Sequence, residues 1–299
     1  MTFRDSRVRL PVFENGNLRM LGVRDLGPAN TEEIYICLPG LLETQKAFDT
    51  FATLVAKNHR VITFDYAGRG DSAPLSSREH YKMSSCLTDI ATVFSYVIGC
   101  EESIAAKGEF SKNNLNKQKP AVHLVGNSMG GLLAVVFAAH CPNVVNSIIL
   151  NDVAAYLPWS GLLSLLGKIG MNAALNVEGT IRIGPKFLAE DLNVDPRLVL
   201  SALKSTYADL FFEKTYFGLS FEKYFSKIKS PILVVHSEDS QLVNSKVIDL
   251  MSTFDRKPTF MAIQGNNHPV FYTENLVERI LAFTANSTNK KEFQKTDCI

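Results

Sequence analysis

The sequence lacks a surplus of charge of either sign. It contains 31 lysines and arginines against 30 aspartates and glutamates, so its formal net charge is +1. Proteins that bind nucleic acids or anionic membrane surfaces usually carry a clear basic excess. The balance argues against polyanionic partners and favours a small molecule as the ligand. We expect the protein to be a monomer or homodimer.

Paired cysteines and metal-binding motifs are also lacking. The five cysteines are widely spaced, with no C-x-x-C pair and no cysteine–histidine cluster at zinc spacing. We therefore expect free thiols in a reducing compartment and no metal site.

Long hydrophobic runs are the third absence. Every apolar run is shorter than the roughly 18 residues that span a bilayer. Charged residues interrupt residues 1–14, where a signal peptide would have a continuous apolar stretch. These features predict a cytoplasmic protein that is not an integral membrane protein.

The chain has enough apolar sequence for a large core. Of its 299 residues, 46% are hydrophobic and 20% are charged, which is typical of a globular protein. Short β-branched runs alternate with segments of helical period, and this order is typical of a parallel sheet in an α/β fold. The predicted strands are 34–38, 61–64, 122–125, 147–150, 232–235 and 259–263. The predicted helices are 45–57, 83–107, 129–140, 245–254 and 270–286. Near the start, Asn15-Gly16 between two apolar runs predicts an antiparallel hairpin.

Two stretches interrupt this alternation. Residues 107–120 are polar and basic and predict a solvated loop, to which we assign no function. Residues 154–230 show no strand pattern, but their leucines and aromatics recur at helical spacing. We therefore expect a core formed by residues 1–153 and 231–299 and a helical cap formed by residues 154–230.

A candidate nucleophile follows the third predicted parallel strand. The hexapeptide GNSMGG at 126–131 places Ser128 between a strand and an Ala/Leu-rich helix. Small residues at Gly126 and Gly130 permit the sharp turn that exposes a serine hydroxyl above a sheet. The N-terminus of the following helix points backbone N–H groups towards an oxyanion.

A serine hydroxyl needs a base to take its proton. Of the six histidines, His268 lies after the last predicted strand and before the final helix, which is the sheet edge where Ser128 belongs. We therefore expect His268 to be the base. For the acid that orients it, we prefer Asp239 after the 232–235 strand, with Asp152 after the 147–150 strand as the alternative and Glu238 third.

With these motifs in place, the chain resembles the α/β-hydrolase superfamily over nearly its whole length. The segment LPGLL at 38–42 and the segment DYAGRGDS at 65–72 are similar to two further family motifs. The resemblance implies an α/β-hydrolase fold, with a mostly parallel eight-stranded sheet flanked by helices. It also implies an oxyanion hole made by the backbone N–H groups of Leu41 and Met129.

Two positions depart from the family pattern. Pro39 replaces the usual histidine before Gly40. Ser240 stands at the usual acid position, one residue after Asp239, and some relatives place their acid after the sixth strand, where Asp152 lies. The sequence leaves both acids open.

The resemblance implies a serine hydrolase without a cofactor. A serine nucleophile excludes the haloalkane dehalogenases and epoxide hydrolases of the superfamily, which need a carboxylate. We expect cleavage of an ester, thioester or lactone of a small apolar substrate through an acyl-enzyme on Ser128. The alternatives are a carbon–carbon bond hydrolase of the meta-cleavage-product type and a non-catalytic binding module of the same fold.

The apolar residues of the cap suggest a substrate pocket, although the same residues could instead hold the cap together. No basic side chain stands out as a carboxylate clamp, with Arg182 and Lys186 left open, which favours a neutral substrate. The predicted pocket residues are Leu42, Leu157, Trp159, Leu162, Phe211, Phe212 and Phe217.

Overall fold

The computed structural model describes residues 3–14, 16–29, 31–99, 120–172, 176–177, 180–181, 185–202 and 212–296. The strands are β1 (Phe3–Glu14), β2 (Asn17–Pro28), β3 (Glu33–Leu38), β4 (Arg60–Phe64), β5 (Ala121–Asn127), β6 (Ser147–Asn151), β7 (Tyr156–Pro158), β8 (Asn176–Val177), β9 (Thr180–Ile181), β10 (Glu213–Lys214), β11 (Gly218–Ser220), β12 (Ile232–Ser237) and β13 (Thr259–Ile263).

Eight of these strands form one sheet in the order β1-β2-β4-β3-β5-β6-β12-β13. The pairs from β4 to β13 are parallel, whereas β1 pairs with β2 and β2 with β4 in antiparallel orientation. Glu14 lies opposite Asn17, so the hairpin turns between these two residues, and Gly16 there has a φ of 76°. The predicted hairpin and the mostly parallel eight-stranded sheet are confirmed.

Helices cover both faces of the sheet. The helices are α1 (Asp49–Val55), α2 (Met83–Gly99), α3 (Met129–His140), α4 (Trp159–Asn172), α5 (Pro185–Leu192), α6 (Pro196–Ala202), α7 (Glu222–Phe225), α8 (Ser245–Met251) and α9 (Glu274–Thr296), with 3-10 turns at Gln45–Phe48 and Arg78–His80. Side chains alternate between the faces of a strand. Ile36 of β3 accordingly belongs to the core cluster that contains α2 and α3, whereas its neighbour Tyr35 belongs to the cluster that contains α1 and α9.

The final helix begins later than the predicted residue 270. Asn151 of β6 binds Val270 twice, since its Oδ1 accepts from the Val270 N–H at 2.9 Å and its Nδ2 donates to the Val270 carbonyl at 2.9 Å. These bonds occupy the backbone groups that a helix would use. The chain therefore stays irregular up to Glu274, and this segment remains at the sheet edge beside the end of β6.

Residues 154–230 contain short strands that the sequence pattern did not predict. β7, β11 and β10 form a three-stranded antiparallel sheet, and β8 pairs with β9. Strands of two or three residues carry no detectable periodicity, which explains their absence from the prediction. The boundaries of the core and cap stay a prediction. The basic loop at 107–120, apart from Pro120, lies outside the described residues, as do Arg182 and Phe211.

None of the helices in the described part of the chain is long and apolar enough to cross a bilayer.

Candidate active site

Ser128 occupies a sharp turn between β5 and α3. Its φ of 47° and ψ of −117° lie outside the regular helix and strand regions, a strain typical of functional positions. Glycines make the turn possible, because a Cβ at Gly126 would lie 2.4 Å from the Gly131 nitrogen and one at Gly130 would lie 2.0 Å from the Leu38 carbonyl oxygen. The local sequence therefore brings the start of α3 against the end of β3.

His268 lies between Ser128 and Asp152. Its Nε2 is 2.9 Å from the Ser128 Oγ, and its Nδ1 is 2.8 Å from the Asp152 Oδ2. The carboxylate of Asp152 is buried, and its other oxygen accepts from the Ser237 N–H at 3.4 Å. A hydroxyl, an imidazole and a carboxylate in this order can transfer a proton away from the serine.

The structure places Asp152, and not the preferred Asp239, within hydrogen-bond distance of His268. Asp239 lies in the turn after β12, where its backbone N–H donates to the Gly265 carbonyl, and no hydrogen bond joins it to His268 among the described residues. Asp152 directly follows β6, the strand next to β5, whereas Asp239 follows β12, which is one strand further from Ser128. The backbone N–H of Glu238 donates to the Ile263 carbonyl, and Glu238 is exposed.

The predicted oxyanion donors lie on two adjacent segments. Met129 is the first residue of α3, and the N–H of a first helical residue has no acceptor within its own helix. Leu41 lies in the loop after β3, and its carbonyl accepts from Arg69 Nε at 3.0 Å and Nη2 at 2.7 Å. The buried guanidinium of Arg69 thus fixes the loop that carries the Leu41 N–H.

Glu43 ties the same loop to the end of β5. Its Oε2 accepts from the Gly40 N–H at 2.7 Å and from Asn127 Nδ2 at 3.1 Å. Burial raises the pKa of the Glu43 carboxyl, although these two hydrogen bonds and the nearby His268 oppose the rise. The carboxyl therefore joins the loop after β3 to the residue before Ser128.

Asn127 continues these contacts behind the site. Its Oδ1 accepts from Asn151 Nδ2 at 3.1 Å and from the Tyr272 hydroxyl at 2.7 Å. Asn127 and Asn151 are both buried, and they directly precede Ser128 and Asp152. The backbones on either side of the site are therefore linked through buried amides.

A cleft of about 200 Å³ opens beside His268. Its walls come mainly from α4, from the turn after β12 and from the loop after β13. The lining residues are Asp152, Gly161, Ser164, Leu165, Asp239, Ser240, Gln241, Leu242, Asn266 and His268. The cleft is more polar than the predicted apolar pocket.

None of the predicted pocket residues that the structure describes lines this cleft. Leu157 pairs with Leu219 in the small sheet, Trp159 Nε1 donates to the Thr215 carbonyl at 3.0 Å, and Phe212 packs on Phe221. Leu42, Leu162 and Phe217 are partly buried against the main core. These contacts hold the insertion and its surroundings together.

Sequence reasoning missed Glu43, Arg69, Asn127, Asn151 and Tyr272. Two signals were available: Asn127 is the variable residue of the G-x-S-x-G motif, and Arg69 lies within the 65–72 segment that is similar to a family motif. Glu43 and Tyr272 carried no signal, because their roles depend on contacts between distant segments.

Comparisons with known proteins identify the family of the chain. Residues 35–279 match the Alpha/beta hydrolase family. The chain is 24% identical over 255 residues to a 3-hydroxybutyrate-oligomer hydrolase of Cupriavidus necator, an alignment that covers 76% of this chain and 79% of that protein. It therefore belongs to the α/β hydrolase family.

Solved structures support the same fold. A thermophilic esterase from Thermogutta terrifontis superposes with a TM-score of 0.64 at 16% identity, covering 94% of this chain and 99% of the esterase. An esterase from Rhodococcus sp. ECU1013 gives a TM-score of 0.59 at 17% identity, covering 95% and 99%. Identities this low establish the shared fold alone.

Proposed function

We propose that this protein is a serine esterase that cleaves a small neutral carboxylic ester through an acyl-enzyme on Ser128. The observation that carries the proposal is the pair of hydrogen bonds at His268, which reaches Ser128 at 2.9 Å and Asp152 at 2.8 Å. The strained conformation of Ser128 at the start of α3 supports it further.

In the proposed reaction, the Ser128 Oγ attacks the ester carbonyl carbon while His268 Nε2 takes the hydroxyl proton. Asp152 holds the imidazole in the tautomer with a proton on Nδ1 and stabilises the imidazolium. The N–H groups of Met129 and Leu41 bind the oxyanion, each contributing on the order of 3 kcal/mol. His268 then protonates the leaving alcohol.

The second half of the reaction releases the acid. Water attacks the acyl-enzyme carbonyl as His268 Nε2 takes one of its protons, and the same proton returns to the Ser128 Oγ when the tetrahedral intermediate collapses. The products are one carboxylic acid and one alcohol for each ester and water consumed. The chemistry requires no cofactor.

Two observations favour a carboxylic ester as the substrate: the activity of a related protein and the volume of the cleft. The Cupriavidus necator relative is a hydrolase of 3-hydroxybutyrate oligomers. The cleft beside His268, at about 200 Å³, suits an acyl or alcohol group of a few carbon atoms. These observations support a short-chain substrate.

Labelling with a fluorophosphonate probe tests the proposal directly. We expect the folded protein to form one adduct on Ser128, and Ser128→Ala to form none. Ser6→Ala, on the exposed edge strand β1, is the matched control and should label like the wild type. Absence of an adduct on the wild type, or an equal adduct on Ser128→Ala, would favour the non-catalytic binding module.

A further inference from the structure

Asp239 lies in the cleft beside His268, although it does not bind that histidine. The turn that carries it is fixed by backbone hydrogen bonds from Glu238 to Ile263 and from Asp239 to Gly265. The side chain of Asp239 is exposed, and no hydrogen bond or ion pair joins its carboxylate to another described residue. Its negative charge thus faces the cleft without a basic partner in the described part of the chain.

The other charged groups of the cleft do not offset Asp239. Asp152 is a second carboxylate, and its charge is matched by His268 when the imidazole is protonated. Lysine and arginine are absent from the described residues that line the cleft. A bound carboxylate would therefore face a net negative wall.

The uncharged part of the wall offers hydrogen bonds. Ser164, Ser240, Gln241 and Asn266 supply hydroxyl and amide groups, and Leu165 and Leu242 supply apolar surface beside them. The Ser240 Oγ accepts from the N–H groups of Leu242 and Val243, which leaves its own proton for donation. Such a wall suits a short chain that carries a hydroxyl.

We propose that Asp239 is a specificity residue that excludes substrates with a carboxylate near the scissile ester, so that the enzyme selects neutral, hydroxyl-bearing short-chain esters. The proposal rests on the proposed function. Repulsion between two carboxylates near a protein surface is partly screened by water and salt. We therefore expect an effect of about fivefold on kcat/KM rather than of several orders of magnitude.

Three methyl esters with the same number of acyl carbons test the proposal: methyl butanoate, methyl 3-hydroxybutanoate and monomethyl succinate. Hydrolysis is followed by pH-stat titration for the wild type, Asp239→Asn and the control Glu238→Gln. Glu238 is the adjacent exposed carboxylate, and it does not line the cleft.

In the wild type we expect methyl 3-hydroxybutanoate to be the best substrate and monomethyl succinate the poorest. Asp239→Asn should raise the succinate-to-butanoate ratio of kcat/KM about fivefold, and Glu238→Gln should leave that ratio unchanged. Salt should raise the wild-type ratio and have less effect on Asp239→Asn.

Equal ratios in Asp239→Asn and Glu238→Gln would overturn the specificity role, as would a wild type that cleaves monomethyl succinate fastest. A protein that takes the fluorophosphonate label but cleaves none of the three esters would refute this substrate class and leave the serine-hydrolase function standing. A wild type that neither labels nor cleaves would refute the proposed function itself.

Discussion

Asn127 and Asn151 are paired in register on the neighbouring parallel strands β5 and β6, and their side chains are joined by a 3.1 Å hydrogen bond. The residue that directly follows β5 is Ser128 and the one that follows β6 is Asp152, and both have positive φ, at 47° and 55°. Among the described residues, only one other non-glycine residue has positive φ. The register of two strands therefore sets how the hydroxyl and the carboxylate face His268.

The first prediction concerns the acid. Asp152→Asn should lower kcat for a short p-nitrophenyl ester by at least about a hundredfold, because the amide favours the wrong histidine tautomer. Asp239→Asn is the matched control and leaves the bond between His268 and Asp152 in place. Its loss should be at least about tenfold smaller. Equal losses in the two variants would contradict the geometric assignment.

The second prediction concerns Glu43. Glu43→Ala removes the oxygen that accepts from Gly40 and Asn127, so the loop after β3 loosens and kcat should fall about tenfold with little change in KM. Glu43→Gln keeps an oxygen acceptor and should recover most of this loss. If Gln and Ala are equally impaired, the carboxylate acts through its charge and the positioning role is refuted. Steady-state kinetics gives kcat and KM for both variants, and thermal melting shows whether each of them is folded.

The third prediction concerns Arg69. A lysine cannot reproduce the two hydrogen bonds that the guanidinium makes to the Leu41 carbonyl. We expect Arg69→Lys to lower kcat about tenfold while KM changes less than about threefold, since the loop bears an oxyanion donor. Arg7→Lys, on a side chain that is 78% exposed, is the control. If Arg69→Lys keeps the wild-type kcat, Arg69 does not position the loop that carries the Leu41 N–H.

The fourth prediction uses two helical glycines. Gly130→Ala places a methyl group 2.0 Å from the Leu38 carbonyl oxygen, so the backbone must shift, and we expect a loss of about 3 kcal/mol or more in the free energy of unfolding. Gly167→Ala in α4 meets no atom within 4 Å and should stabilise the protein by up to about 1 kcal/mol. Chemical denaturation measures both, and a harmless Gly130→Ala would contradict the close approach of α3 to β3.

The sequence was informative wherever a local rule determines the structure. Strand–turn–helix order located Ser128, and the loop after the last strand located His268, because parallel strands bring their carboxyl ends to one edge. The acid was harder, since Asp152 and Asp239 both follow strands at that edge. The structure distinguishes them by a contact, since His268 Nδ1 lies 2.8 Å from Asp152 Oδ2. The bonds between Asn151 and Val270 hold the segment after His268 beside the end of β6.

The pocket was less predictable for a different reason. Aromatic residues at helical spacing pack against whatever lies beside them, and Phe212 and Trp159 contact the insertion itself. Gln241 and Asn266, which line the cleft, lie in loops and match no sequence motif. Their importance arises from the meeting of segments that are far apart in the chain.

The pairing of β7 with β11 has a consequence for how the protein can change. Tyr156 lies opposite Ser220, and Pro158 lies opposite Gly218, so the chain leaves the core and returns to it through adjacent strands. Residues can be gained or lost between these strands without displacing β6 or β12 in the main sheet. Evolution can therefore vary the wall of the cleft while Ser128, Asp152 and His268 of the proposed site stay in place.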